Sequence, residues 1–156
     1  MESEKPLRVR HCYVQSISAP PEKVFPLLCP VLEEKWVPGW APMKVITESG
    51  FAEKDCVFIT PGTPRPSIWV VTKHDPVDFA LEMYKITPEH TVGKLEINLK
   101  PNGTGTEARV SYDYTAIGKE GEGFLAGFTT EWYLEFMKRW EKAMNHFLLT
   151  GSKISG

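Results

Sequence analysis

The sequence predicts an α+β fold in which a curved, seven-stranded antiparallel sheet wraps around one long C-terminal helix, with two short helices between the first two strands. Three observations carry this. From Met43 onward apolar residues recur at every second position, in runs separated by turn chemistry. The connections between those runs are too short for parallel crossovers, so neighbouring strands are joined as antiparallel hairpins. Past Lys119 the period becomes helical, and Thr129 to Leu149 forms a broad amphipathic stretch after a softer lead-in from Lys119 to Phe128.

Taken in order, Val9 to Ser18 mixes Tyr13, Val14 and Ile17 with polar residues and reads as a strand whose faces the loose alternation leaves open. Pro20 and Pro21 stop it, and Pro21 and Glu22 suit a first helical turn, giving a short helix from Pro21 to about Leu28. Pro30 ends that helix, and Val31 to Lys35 makes a further turn. Trp36 to Pro42 is a rigid loop carrying Trp36 and Trp40.

Six strands follow: Met43 to Thr47, Cys56 to Thr60, Ser67 to Lys73, Asp78 to Thr87, Thr91 to Lys100 and Thr106 to Ile117. Their separators are rich in Pro, Gly, Asn and Asp, as at Pro61 to Pro66 and Pro101 to Gly105. Ala108, Val110, Tyr112, Tyr114 and Ala116 alternate with polar residues, as do Gly93, Leu95, Ile97 and Leu99, and before them Phe79, Leu81 and Met83. One face is apolar and the other solvated, as for a sheet packed on one side only. On the C-terminal helix, steps of about 100° gather Phe128, Trp132, Phe136, Trp140, Tyr133 and Met137 on a wide apolar arc. Glu131, Glu135, Lys138, Glu141, Lys142 and Asn145 lie opposite, with Arg139 and His146 at the boundary. The helix is roughly 30 Å long, enough to cross a small domain.

With 156 residues, 42% of them hydrophobic, the chain suits a single domain spanning residues 1–156, with a short polar tail from 150 expected to fray. A net charge of -2 and a pI near 6.1 supply no basic stripe, so nucleic acid is not an expected partner. No run approaches 18 apolar residues and Met1 to Arg10 lacks an apolar segment, so a cytoplasmic protein without stable membrane insertion is expected. Monomer and dimer both stay open. Cys12, Cys29 and Cys56 are widely spaced and suggest buried reduced thiols. The four histidines, His11, His74, His90 and His146, lack metal-ligand spacing, and Gly118 to Gly123 lacks the pattern of a phosphate loop, so neither metal nor cofactor is expected. Those glycines are expected to let the chain turn and flex.

Local sequence is similar to a known superfamily. Ile17-Ser18-Ala19-Pro20-Pro21-Glu22-Lys23-Val24-Phe25, followed by the tryptophan loop Trp36 to Trp40, resembles the first-helix region of the helix-grip superfamily that includes birch-pollen-allergen-like, START and polyketide-cyclase proteins (SRPBCC). Lys85 to Val92 and Leu99 to Thr106 resemble turns of its bacterial members. The resemblance runs from about Val9 to Leu149 and implies the helix-grip fold, with a cavity between sheet and helix that relatives use for sterols, lipids, polyketides or other apolar molecules.

On that reading an apolar small molecule is the expected partner. The expected lining is Phe128, Trp132, Phe136 and Trp140 from the helix, facing Phe58, Phe79, Leu81, Met83, Leu95, Ile97, Tyr112 and Tyr114 from the sheet, with Trp36 and Trp40 capping one end. The plainer alternative is that these side chains simply fill a core. Burying about 300 Å² of apolar ligand surface would gain about 7 kcal/mol before ordering costs, so tight binding requires polar anchors. If the protein is a cyclase- or aromatase-like enzyme, Tyr112, Tyr114, Arg139 and His146 are the candidate proton donors and acceptors. A third possibility follows from the fold of the Hsp90 ATPase activator, which acts by protein contact. It predicts a filled interior and an exposed apolar patch at Trp36 to Trp40 or Ile68 to Val71.

Overall fold

The computed structural model describes residues 1–155. Its elements are β1 (Arg8–Ile17), α1 (Pro21–Val24), 3-10 turns over Phe25–Leu27 and Leu32–Lys35, β2 (Lys44–Ile46), β3 (Val57–Thr60), β4 (Ser67–Asp75), β5 (Ala80–Thr87), β6 (Thr91–Asn102), β7 (Gly105–Ala116), α2 (Lys119–Gly127) and α3 (Thr130–Thr150). All neighbouring strands are antiparallel, in the order β1-β7-β6-β5-β4-β3-β2. The last six strands form a meander, and β1 joins its β7 edge. A register shift between Val71 and Lys73 interrupts the pairing of β4 with β5, the kind of irregularity that lets a sheet bend.

The expected strands are all present, with ends displaced by a few residues. Phe79 is the informative exception. It has φ 54° and stands in a turn organised by Asp75, whose carboxylate accepts the Val77 and Asp78 amides. Those two amide bonds hold the Asp75 carboxyl below its ordinary range. The left-handed backbone takes Phe79 out of the strand alternation, and its ring packs edge-on to Phe25, 5.9 Å between centroids.

The C-terminal helical run is two helices rather than one. Gly127 ends α2, and Thr129 takes an extended backbone and accepts the Trp132 amide with its side chain, capping α3. Two of the glycines before the break, Gly118 and Gly121, serve close approach rather than flexibility. A Cβ on Gly118 would lie 2.1 Å from the Glu89 carbonyl oxygen, and one on Gly121 would lie 1.8 Å from that of His90. The first turns of α2 therefore rest directly on the backbone of the β5–β6 turn.

On α3, Tyr133, Met137, Ala143 and Met144 are buried against the sheet. Tyr133 Oη donates to the Val110 carbonyl at 2.7 Å, and Gln15 Nε2 donates to that of Met137 at 3.1 Å. Two residues of the polar side also have structural work. Glu141 accepts the Ser16 amide and Asn145 accepts that of Ser18, so side chains of α3 occupy the free edge of β1. Removing the hydroxyl in Tyr133→Phe leaves the buried Val110 carbonyl one donor short and is expected to cost about 1–2 kcal/mol, read as a lower denaturant midpoint at unchanged slope.

Candidate functional site

Between the sheet and α3 lies a cavity of about 270 Å³. Strand alternation builds its first wall: Leu81, Met83 and Lys85 from β5, Leu95 and Ile97 from β6, and Tyr112 and Tyr114 from β7. Phe58 of β3 and Trp69 of β4 extend this wall, their rings stacked 5.4 Å apart. The second wall consists of Phe124 from α2, Phe128 from the link, and Trp132, Phe136 and Trp140 from α3. Leu28, Cys29, Pro30, Glu33, Val37 and Trp40 close the top. Trp132 is the one lining residue classed as exposed, at 45%, and it marks the mouth.

Most residues expected at a site converge here, and four do not. Trp36 is fully buried behind the wall, donating Nε1–H to the Leu27 carbonyl at 2.9 Å and packing on Trp140. Phe79 is turned toward Phe25, for the backbone reason given above. Arg139 is exposed in a separate outer groove with Lys142, and His146 lies in another near Asn145, so neither faces the cavity. The proposed patch at Ile68 to Val71 is not an apolar surface, because Trp69 and Val71 point inward and only Ile68 is exposed. Among the described residues no group of histidine, cysteine or acidic side chains is placed to hold a metal ion, and no helix is long and apolar enough to cross a membrane.

Two polar residues in the cavity were not anticipated, Lys85 and Glu33. Lys85 sits in a cross-strand row, paired with Trp69 on one side and Gly93 on the other, and Gly93 pairs in turn with Tyr114. A Cβ on Gly93 would meet the Tyr114 ring at 2.6 Å, so the bare glycine lets that ring lie across the row toward Lys85. Lys85 Nζ is 5.3 Å from the Trp69 ring centroid and 5.9 Å from that of Tyr114. The aromatic faces offset part of the cost of holding the cation away from water. Burial nevertheless pushes the Lys85 ammonium below its ordinary range. Parity exposes this residue in the sequence, since Lys85 follows Leu81 and Met83 on the same face of β5.

Glu33 belongs to the 3-10 turn after Pro30. It is half-buried over its whole surface, but its carboxyl is desolvated among apolar lining groups and is pushed up to about 8. At neutral pH it is mostly a neutral acid, able to donate as well as accept a hydrogen bond. Burial also raises the Tyr112 and Tyr114 hydroxyls, and the charge of Glu33 adds to the rise at Tyr112. Among the described residues none of these four groups, Glu33, Lys85, Tyr112 or Tyr114, has a side-chain hydrogen-bond or ion-pair partner.

The Glu33 shift has a stability consequence. Its folded value of about 8 lies above the ordinary 4.5, so the folded state holds a proton that the unfolded chain releases. The contribution to stability is full below pH 4.5 and is lost as pH rises through 8. Glu33→Gln is expected to flatten that part of the stability-pH curve and to leave the variant more stable than the parent at pH 9, measured by denaturant titration across that range.

No protein-family model matches the sequence, and no curated protein matches it by sequence. Solved structures do match by shape. Truncated norcoclaurine synthase from Thalictrum flavum superposes with a TM-score of 0.70 at 14% identity, covering 96% of this chain and 99% of that one. The same enzyme in complex with dopamine and hydroxybenzaldehyde gives 0.67 at 14%, covering 92% and 88%. CalU16 from Micromonospora echinospora gives 0.60 at 14%, covering 97% and 86%. The backbone has the helix-grip fold that the local motifs led us to expect, and at these identities the likeness concerns the fold alone.

Proposed function

We propose that this helix-grip protein binds a small, largely apolar molecule in the cavity between its sheet and α3. The observation that carries the reading is the four polar groups without protein partners, Glu33, Lys85, Tyr112 and Tyr114, in an otherwise apolar cavity. A packed core satisfies its polar groups internally, whereas a ligand site leaves a few for its occupant. A filled interior, as the protein-contact alternative requires, is at odds with the 270 Å³ of space. That volume falls just under the range of about 300–1,000 Å³ typical of small-molecule pockets, which favours a one- or two-ring compound over a sterol. The dopamine and hydroxybenzaldehyde held by the Thalictrum flavum enzyme are compounds of that size.

Native mass spectrometry of gently purified protein, with extraction and identification of bound small molecules, tests the proposal. An apolar compound of matching mass is the expected result. An unliganded mass, with no thermal shift across panels of aromatic, fatty and polyketide compounds, would overturn it.

A second reading, acid–base catalysis of the cyclase type on a bound substrate, is supported by Glu33. A carboxyl poised at about 8 near Tyr112 is matched to proton transfer at neutral pH. Turnover of the extracted compound, lost in Glu33→Gln while binding persists, would favour it, and equal behaviour of the two proteins would exclude it.

A further inference from the structure

We propose that the cavity takes its ligand as a monocarboxylate, with the anionic end seated at Lys85 between the rings of Trp69 and Tyr114 and the hydrocarbon body directed toward Leu81 and Ile97. The proposal rests on the cavity-binding reading and specifies the ligand for that site.

The argument begins with the cation. Lys85 Nζ lies over two aromatic faces and meets no carboxylate among the described residues. Lys85 is half-buried, and an ammonium partly withdrawn from water gains from an anion beside it. Glu33, the one acidic residue of the lining, forms no ion pair with it, since none of the ion pairs among the described residues includes Lys85 or Glu33. A ligand can supply the anion that the lining does not.

Direction follows from the strand. Leu81 and Met83 precede Lys85 on the same face of β5, at about 7 Å per pair of residues, and Leu95 and Ile97 continue that apolar floor on β6. A molecule with its charge at Lys85 lays an apolar body along this floor. A single cation in about 270 Å³ of apolar space balances a monoanion, whereas a phosphate dianion would keep an uncompensated charge.

Glu33 then gives the site a pH limit. The titratable group its charge reaches is Tyr112 from β7, while Lys85 from β5, Tyr114 from β7 and Cys29 from its own segment share the lining without pairing with it. Both tyrosines stay neutral, since burial raises them further. Below about 8 Glu33 is protonated and hydrogen-bonds the occupant; above it a second anion stands in the cavity and opposes the first.

The test is calorimetric titration with three acids, phenylacetate, 2-naphthoate and decanoate, each beside its methyl ester. At pH 7 at least one acid is expected to bind about tenfold or more tightly than its ester, the scale of a charge-assisted hydrogen bond. Lys85→Met should erase that preference while leaving ester affinity within about threefold, and Lys85→Arg should keep it, with circular dichroism checking that both variants fold. Affinity for the acid should fall as pH rises through 8, less so in Glu33→Gln, while affinity for the ester stays level. Esters binding as well as acids, or Lys85→Met weakening both alike, would overturn the carboxylate proposal and leave the cavity reading intact. No binding by any of the six compounds would overturn the carboxylate proposal, while the cavity reading falls only if the native mass is also unliganded and the wider compound panels give no thermal shift.

Discussion

Trp36→Ala is expected to lower the stability of the protein by about 3–5 kcal/mol, the range for truncating a fully buried tryptophan. Trp36 is 0% exposed, its ring centroid stands 5.2 Å from that of Trp140, and its Nε1–H satisfies the Leu27 carbonyl. Alanine removes all three contributions and leaves a void behind Trp140. Because Trp140 lines the cavity, that void would join it, so the variant should also accept bulkier ligands than the parent. Trp40→Ala is the control: Trp40 is half-buried and faces the cavity, and it should cost less. Equal losses for the two in urea titrations would contradict the division of labour between wall and backing.

Gly121→Ala is expected to cost about 3 kcal/mol or more, the upper part of the overpacking range, because the added methyl meets backbone rather than a movable side chain. It would stand 1.8 Å from the His90 carbonyl oxygen, which already accepts the Ile117 amide at 2.9 Å. Relief requires α2 to lift from the β5–β6 turn, carrying Phe124 away from the His90 ring it packs on and from the cavity wall. Stability and ligand affinity should fall together. Gly123, two residues along the same helix, has nothing within 4 Å of its Cβ position. Gly123→Ala should therefore stabilise by roughly 0.5–1 kcal/mol, as expected for a glycine in an open helical position. The opposite signs separate close approach from helix propensity, and thermal denaturation of both variants reads them directly.

The same contrast shows where the sequence was legible. Strand alternation tells which residues of β6 and β7 face inward, so it places Leu95, Ile97, Tyr112 and Tyr114 on the cavity side. It also held the signal for Lys85, which continues the parity of Leu81 and Met83 but is easily passed over as a surface lysine. Glu33 carried no such signal. It lies in a single 3-10 turn between prolines, where no period assigns a face, and only the seating of that turn over the sheet directs its carboxyl inward. Trp36 and Trp40 posed the same difficulty: they share one loop, and tertiary packing sends one into the wall and the other to the cavity. Phe79 was misplaced because a left-handed residue before β5 breaks the alternation. Arg139 and His146 sat at the edge of the helical arc, where the orientation of α3 on the sheet decides which boundary residues face inward.

By itself, the sequence determined the elements, their antiparallel succession and the apolar face of each, because periodicity and turn chemistry are local and recur along the chain. Only the tertiary structure decided that the space between those faces is hollow and which polar groups enter it. A cavity is what remains when a sheet whose register shifts at Val71 to Lys73, a helix seated on β1 and a proline-bounded turn cannot all come into full contact. That distance between elements is a property of their joint packing, with no counterpart in the spacing of residues along the chain.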